Sequence, residues 1–265
     1  MSVYLTGDTH GAFNRIFTFC EEYGTTEEDI LVILGDAGIN FCCDFRDENL
    51  KRKLTKLPIT LLCVHGNHEE RPFLLDYEEM EWHEGIVYYE KEYPNLLFAK
   101  NGEIYDFFGK KAIVIGGAYS IDKYYRLRNG LPWFKSELPT EEIKEFVEAQ
   151  LERCNWCVDY VFSHTVPVEY EPTWAFIPGV NQKLVDKSME LWLQEIVEKL
   201  TFEEWFAGHY HVESQEGPIR IMFEDYEAKS KTSTSPPSAA KTSIFPNMKC
   251  PVLWRAGKNT VRPNR

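Results

Sequence analysis

Asp8 and His10 stand two residues apart in the stretch Leu5-Thr6-Gly7-Asp8-Thr9-His10-Gly11. In a turn, that spacing lets a carboxylate oxygen and an imidazole nitrogen reach one point. A hard donor with a borderline one suits manganese, iron or zinc. Alone, the pair is better described as a capping Asp and a turn His. The arrangement recurs, however: Asp36 follows Gly35, Asn67 and His68 follow Gly66, His164 follows Ser163, and His209 and His211 follow Gly208. Together they exceed what one tetrahedral zinc needs and mix carboxylate, carboxamide and imidazole. Two metal ions sharing a carboxylate is the economical reading. At a separation of about 3.5 to 4 Å, a hydroxide bridging such ions forms near neutral pH and serves as the nucleophile of an in-line displacement.

Five apolar runs lead into these residues, at 3–5, 30–34, 61–64, 160–163 and 205–207. Each ends at glycine or serine, as expected of buried strands that deliver side chains to their carboxyl ends, where open α/β sheets bind ligands. Phe13, Ile16, Phe17, Cys20 and Tyr23 recur at helical spacing and predict a helix packed on the sheet by that face. Residues 44–57 read as a charged surface helix, and 140–154 and 186–199 as amphipathic helices. Repeated strand-helix-strand order favours parallel pairing with right-handed crossovers. Residues 71–108 break that rhythm, with short strands expected at 86–89, 96–99 and 105–108 as antiparallel additions. A core strand at 112–115 ends at Gly116-Gly117. The loop 119–133 that follows carries Lys123, Arg126 and Arg128, and is either a substrate-facing lid or a solvated loop.

The chain has 265 residues, 43% hydrophobic and 27% charged, enough for one large α/β domain. No apolar run approaches the roughly 18 residues of a membrane span. No basic segment precedes the first apolar run, and the seven cysteines form no evident disulfide framework, so a cytoplasmic location is expected. Net charge is −13; residues 225–265 carry a local +6, which leaves −19 on residues 1–224. An acidic body argues against a nucleic-acid partner. Residues 1–224 read as the globular domain, and 225–265, rich in Lys, Ser, Thr and Pro, as a low-complexity basic tail, disordered or non-native.

In order and spacing, Gly7-Asp8-Thr9-His10-Gly11, Gly35-Asp36, Gly66-Asn67-His68-Glu69, His164 and Gly208-His209-Tyr210-His211 resemble the motif set of the calcineurin-like metallophosphoesterases. The resemblance implies a four-layer αββα sandwich of two mixed β-sheets flanked by helices. It implies that Asp8, His10 and His211 hold one divalent ion, that Asn67, His164 and His209 hold a second, and that Asp36 bridges them. Manganese is the expected ion, with iron, zinc or nickel as alternatives. By the same resemblance His68 is no ligand, and protonates the leaving oxygen or steadies the phosphoryl group; histidine titrates in the right range for that work.

The chain departs from the protein phosphatase branch at the second motif. Asp36 is followed by Ala37-Gly38-Ile39-Asn40, without that branch's Asp-Arg pair, which argues against a protein serine/threonine phosphatase. Asp44 is then a candidate to orient His68, and Arg15, Arg71, Lys123 and Arg126 are candidates to contact phosphate. His65 and Glu69 read as packing or hydrogen-bonding neighbours, and Cys154-Asn155-Trp156-Cys157 as a lone C-x-x-C without a partner pair. The expected activity is metal-dependent hydrolysis of phosphomonoesters or small phosphodiesters. A nuclease and a non-catalytic, metal-stabilised scaffold are the alternatives.

Overall fold

A computed structural model describes residues 1–230 of the chain. The first half alternates β1 (Val3–Thr6), α1 (Asn14–Tyr23), β2 (Ile30–Ile33), α2 (Phe45–Leu54) and β3 (Thr60–Cys63), then runs through β4 (Glu78–Trp82), β5 (Gly85–Tyr89) and β6 (Leu96–Ala99). Next come β7 (Ile104–Phe107), β8 (Lys110–Ile115), α3 (Lys123–Asn129), α4 (Glu141–Arg153), β9 (Tyr160–Ser163) and α5 (Ser188–Val197). The described chain closes with β10 (Glu204–Ala207), β11 (Ser214–Glu216), β12 (Ile219–Ile221) and β13 (Glu227–Lys229).

These strands form two mixed sheets, a seven-stranded one ordered β13-β1-β2-β3-β6-β5-β4 and a six-stranded one ordered β11-β12-β10-β9-β8-β7. β1, β2, β3 and β6 pair in parallel, and so do β8, β9, β10 and β12. The antiparallel partners lie toward the edges, where β4 pairs β5 and β7 pairs β8.

Alternation along the strands sorts side chains into three apolar layers. Val3, Leu5, Val32 and Leu62 of the first sheet meet Tyr105, Val114, Phe162 and Phe206 of the second, so the sheets pack face to face. Leu31, Ile33 and Cys63 point the other way, onto Ile16, Phe19 and Leu54 of α1 and α2. Ile113, Val161 and Trp205 do the same toward Val147 and Leu151 of α4 and Leu193 of α5. The result is the αββα sandwich. Among the described residues no helix is long and apolar enough to cross a membrane.

The face of α1 differs from the expectation. Ile16, Phe19 and Cys20 are buried, whereas Phe17 is 36% and Tyr23 60% exposed. Phe19 lies between them on the helix and stacks on Tyr226, with ring centroids 4.1 Å apart. That partner is distant in sequence, so spacing within the helix gave no sign of it. β13 carries the first sheet past Glu224, pairing antiparallel with β1. The rest of the basic tail, 231–265, lies outside the described residues.

Candidate metal centre

β1, β2 and β3 of one sheet and β9 and β10 of the other end beside each other, and the turns that follow hold the chemistry. His10, Asp36, His209 and His211 have φ of 46°, 48°, 70° and 54°, a left-handed backbone that costs a non-glycine residue about 1 to 3 kcal/mol. Neighbouring turns hold them there. The His10 amide donates to the Asp36 carbonyl at 2.8 Å, and the Gly208 amide to the His164 carbonyl at 2.9 Å. Glu69 accepts from the amides of Gly66 at 3.0 Å and Gly38 at 3.3 Å, tying the second and third turns together. Gly66 and Gly208 permit close approach: a Cβ would fall 2.0 Å from Asp36 Oδ1 at the first and 2.3 Å from Asp8 Oδ1 at the second.

Asp8, His10 and His211 bring their ligand atoms within 4.8 Å of one another. Asp8 Oδ2 lies 3.0 Å from His211 Nε2 and 3.5 Å from His10 Nε2, and the two imidazole nitrogens are 2.8 Å apart. Asp8, Asp36 and His164 form a second such group. Asp36 presents Oδ1 to His164 Nε2 at 3.7 Å and Oδ2 to His10 Nδ1 at 3.8 Å, one oxygen toward each cluster. Asn67 Oδ1 is 2.9 Å from His164 Nε2. His209 belongs to neither group of mutually close donors. Its ring lies 5.0 Å from that of His164, and its amide donates to Asp8 Oδ1 at 2.9 Å.

The donor chemistry fits cations. His164 Nδ1 faces the Leu34 carbonyl at 2.8 Å, and a carbonyl only accepts, so Nδ1 carries the proton and a neutral ring leaves a lone pair on Nε2. Asn67 Nδ2 donates to Ser120 Oγ at 2.9 Å, which turns its carbonyl oxygen toward that lone pair. Two acceptors face each other, an arrangement that a cation relieves. The electrostatics agree. Burial pushes the His10 imidazole down, but the Asp8 hydrogen bond and the charges of Asp36, Asp8 and Glu69 outweigh it and raise it to about 9. Burial pushes Asp8 up, yet hydrogen bonds from His10 and His211 hold it well below the carboxylate range. Half-buried His209 is held neutral, at about 3, by desolvation and then by His164. His209 is thus in the neutral form that binds metal, whereas His10 holds a proton that a cation would have to displace, the carboxylates around it supplying the negative field that attracts either.

His68 extends from the third turn, its amide donating to Asp36 Oδ1 at 2.8 Å. Asp44 does not orient it. That carboxylate caps α2, accepting from the Arg46 amide at 2.9 Å and side-chain Nε at 3.0 Å. Instead Arg126 Nη2 lies 3.5 Å from His68 Nε2. The other basic candidates are engaged elsewhere. Arg15 donates to Thr6 Oγ1 and to the carbonyls of Gly7, Asp8, Phe223 and Glu224, pinning the first turn to the chain before β13. Lys123 stacks over Trp133, 4.2 Å from the ring centroid. Buried Arg71 donates through Nε to the Ser136 carbonyl at 2.8 Å. Sequence reasoning passed over Ser120 and Glu137. Glu137 accepts from the Ser120 amide at 3.2 Å and from Trp133 Nε1 at 2.8 Å, so it anchors the hydroxyl that orients Asn67. The only sequence sign was the pair Gly116-Gly117, three residues before Ser120.

The family description "Calcineurin-like phosphoesterase" matches residues 1–213. The chain belongs to the calcineurin-like phosphoesterase family. Comparison with curated proteins finds no match. Among solved structures, the chain is similar to TT1561 of Thermus thermophilus, at 12% identity and a TM-score of 0.46 over 87% of this chain and 99% of that one. It is also similar to AQ665 of Aquifex aeolicus, a protein of unknown function, at 18% identity and a TM-score of 0.38 over 84% of this chain and 89% of that one. A phosphopantetheinyl hydrolase from Mycobacterium tuberculosis matches at 14% identity and a TM-score of 0.39, over 84% of this chain and 88% of that one. These likenesses are distant, and the assignment rests on the family match.

Proposed function

We propose that this calcineurin-like phosphoesterase hydrolyses small phosphoric esters at a centre of two divalent ions, one held by Asp8, His10 and His211 and the other by Asn67, His164 and His209, with Asp36 between them. The carrying observation is the convergence of ligand atoms, His10 Nε2 toward His211 Nε2 and His164 Nε2 toward Asn67 Oδ1, around two buried carboxylates. Divalent ions held there would polarise the phosphoryl group as Lewis acids and lower the pKa of a water so that it loses its proton near neutral pH and attacks phosphorus as hydroxide. Manganese suits the mixed oxygen and nitrogen donors.

The chain's own residues do the rest. His68 stands beside the centre without joining either ligand group, and gives its proton to the ester oxygen as the P–O bond breaks, so an alcohol departs rather than an alkoxide. Its place in the turn is fixed by its amide bond to Asp36. Burial lowers its pKa, with Arg126 acting in the same sense and Asp36 opposing.

The deciding experiment uses chelated protein and para-nitrophenyl phosphate, with manganese, zinc, iron, nickel or magnesium restored singly. Activity should return with a transition metal at close to two ions per chain. Asp36→Asn should lower it by orders of magnitude and weaken metal retention. Near-normal turnover in that variant would refute the binuclear reading. Stoichiometric metal without turnover of any phosphoester would favour the scaffold.

A further inference from the structure

Arg126 is held on two sides and open on the third. Its Nε donates to Asp122 Oδ2 at 2.7 Å and its Nη1 to the Pro132 carbonyl at 3.2 Å, while Nη2 faces His68 Nε2 at 3.5 Å. Asp122, one turn before it, is committed to this task, since its other oxygen, Oδ1, is buried and makes no hydrogen bond. Of the four basic side chains considered as phosphate contacts in the sequence, Arg126 faces His68, whereas Arg15 donates to carbonyls around the first turn, Lys123 lies over the Trp133 ring, and buried Arg71 donates through Nε to the Ser136 carbonyl and leaves Nη2 without a partner.

We propose that the Asp122–Arg126 pair reads the third non-bridging oxygen of a phosphomonoester and so selects monoesters over diesters. The inference rests on the proposed function, because it takes His68 Nε2 as the place of the departing oxygen. A guanidinium group beside that nitrogen reaches the oxygens next to the breaking bond. A monoester, with a second pKa of about 6, offers three such oxygens and nearly two negative charges at neutral pH. A diester offers two oxygens and one charge, and puts an organic substituent where the third oxygen would be. That substituent would take the place of the third anionic oxygen and leave the Nη2 side of the guanidinium, the side Asp122 does not hold, facing an uncharged group, so the diester loses the charged hydrogen bond that the monoester makes. Arginine suits the role because its planar fork can hold Asp122 with one edge and phosphate with another. The acidic body, −19 over residues 1–224, makes a local cation more important for admitting a dianion.

The test measures kcat and KM for para-nitrophenyl phosphate and its bis-ester in the metal-loaded chain and in Arg126→Ala, Arg126→Lys and Asp122→Asn. It also measures affinity for inorganic phosphate by calorimetry, which needs no turnover. The unaltered chain should prefer the monoester. In Arg126→Ala the monoester-to-diester ratio of kcat/KM and the affinity for phosphate should each fall about 10- to 100-fold, the worth of a charged hydrogen bond. Arg126→Lys should recover part of the phosphate affinity and little of the ratio. Asp122→Asn, a positioning change, should act on KM for the monoester more than on kcat. A chain that prefers the diester, or an Arg126→Ala variant that slows both esters equally, overturns the inference and leaves the proposed function standing. If neither ester turns over with any metal, the proposed function fails. Phosphate binding then decides on Arg126 alone, and equal affinity in the unaltered and Arg126→Ala chains overturns its role.

Discussion

At the scale of single residues, the centre depends on side chains that are absent as much as on those present. Gly66 lies against Asp36 so closely that an added Cβ would stand 2.0 Å from its Oδ1 and 2.2 Å from its amide. One of the two must move, and Asp36 is buried with His68, His164 and His10 around it. Gly66→Ala should therefore cost at least one bound metal ion per chain and lower turnover by two orders of magnitude or more, although no donor atom has been removed. Metal content after gel filtration, read beside the rate, checks this; two retained ions would show that the turn can give. Glu69 makes the complementary case. Its carboxyl is raised to about 8, by burial and then by the charge of Asp36, and it joins the Gly66 and Gly38 amides. Glu69→Ala leaves two backbone donors without partners and should cost about 1 to 3 kcal/mol for each one that stays buried, measured as a loss of unfolding free energy in urea.

At the scale of elements, α5 shows how a helix on the outer face reaches the site. Its Glu190 is buried, raised to about 7 by desolvation, and accepts from Thr165, the neighbour of His164. The folded chain keeps this proton up to about pH 7, whereas the unfolded chain releases it near the ordinary glutamate value of 4.5. Between those values the folded state binds more protons, so its stability falls as pH rises, by up to about 3 kcal/mol in all. Glu190→Gln should remove much of the decline in melting temperature between pH 5 and pH 8. An unchanged slope would assign the decline to other groups. What the sequence disclosed also divides by element. Strands β1, β2, β3, β9 and β10 were legible because they are continuous apolar runs buried on both faces, and the turns after them carry all the candidate ligands. α3 was hidden, since none of its residues is buried and a helix without an apolar stripe has no periodic signature. With α3 went Asp122, and with it the group that holds Arg126 beside His68. The edge strands β4, β11 and β13 were equally illegible, being short and polar, with Glu-Glu-Met-Glu-Trp, Ser-Gln-Glu and Glu-Ala-Lys as their sequences.

At the scale of the whole molecule, the two ends of the described chain are stitched together across the first sheet. Val3, Tyr4 and Leu5 pair with Lys229, Ala228 and Glu227, which gives β1 a neighbour on its outer side. Thr6 Oγ1 donates to the Asp225 carbonyl at 2.9 Å, Tyr226 donates to the Arg15 carbonyl at 3.1 Å, and the Tyr226 ring stacks on Phe19. Composition placed the end of the globular part at Glu224, before all of these contacts. A chain cut after Glu224 would leave β1 as an open edge, which invites pairing with other chains. It would also uncover the apolar face of Phe19. Compared with a chain ending at Ser230, it should melt several degrees lower, because a loss of about 1 kcal/mol shifts the midpoint of a chain this long by roughly 2 to 4 °C. It should also associate at concentrations where the longer chain stays disperse. Since β1 carries Asp8 and His10 into the centre, the shorter chain should bind metal more weakly as well. Equal melting and equal metal affinity in the two chains would mean that β13 covers the edge without holding it.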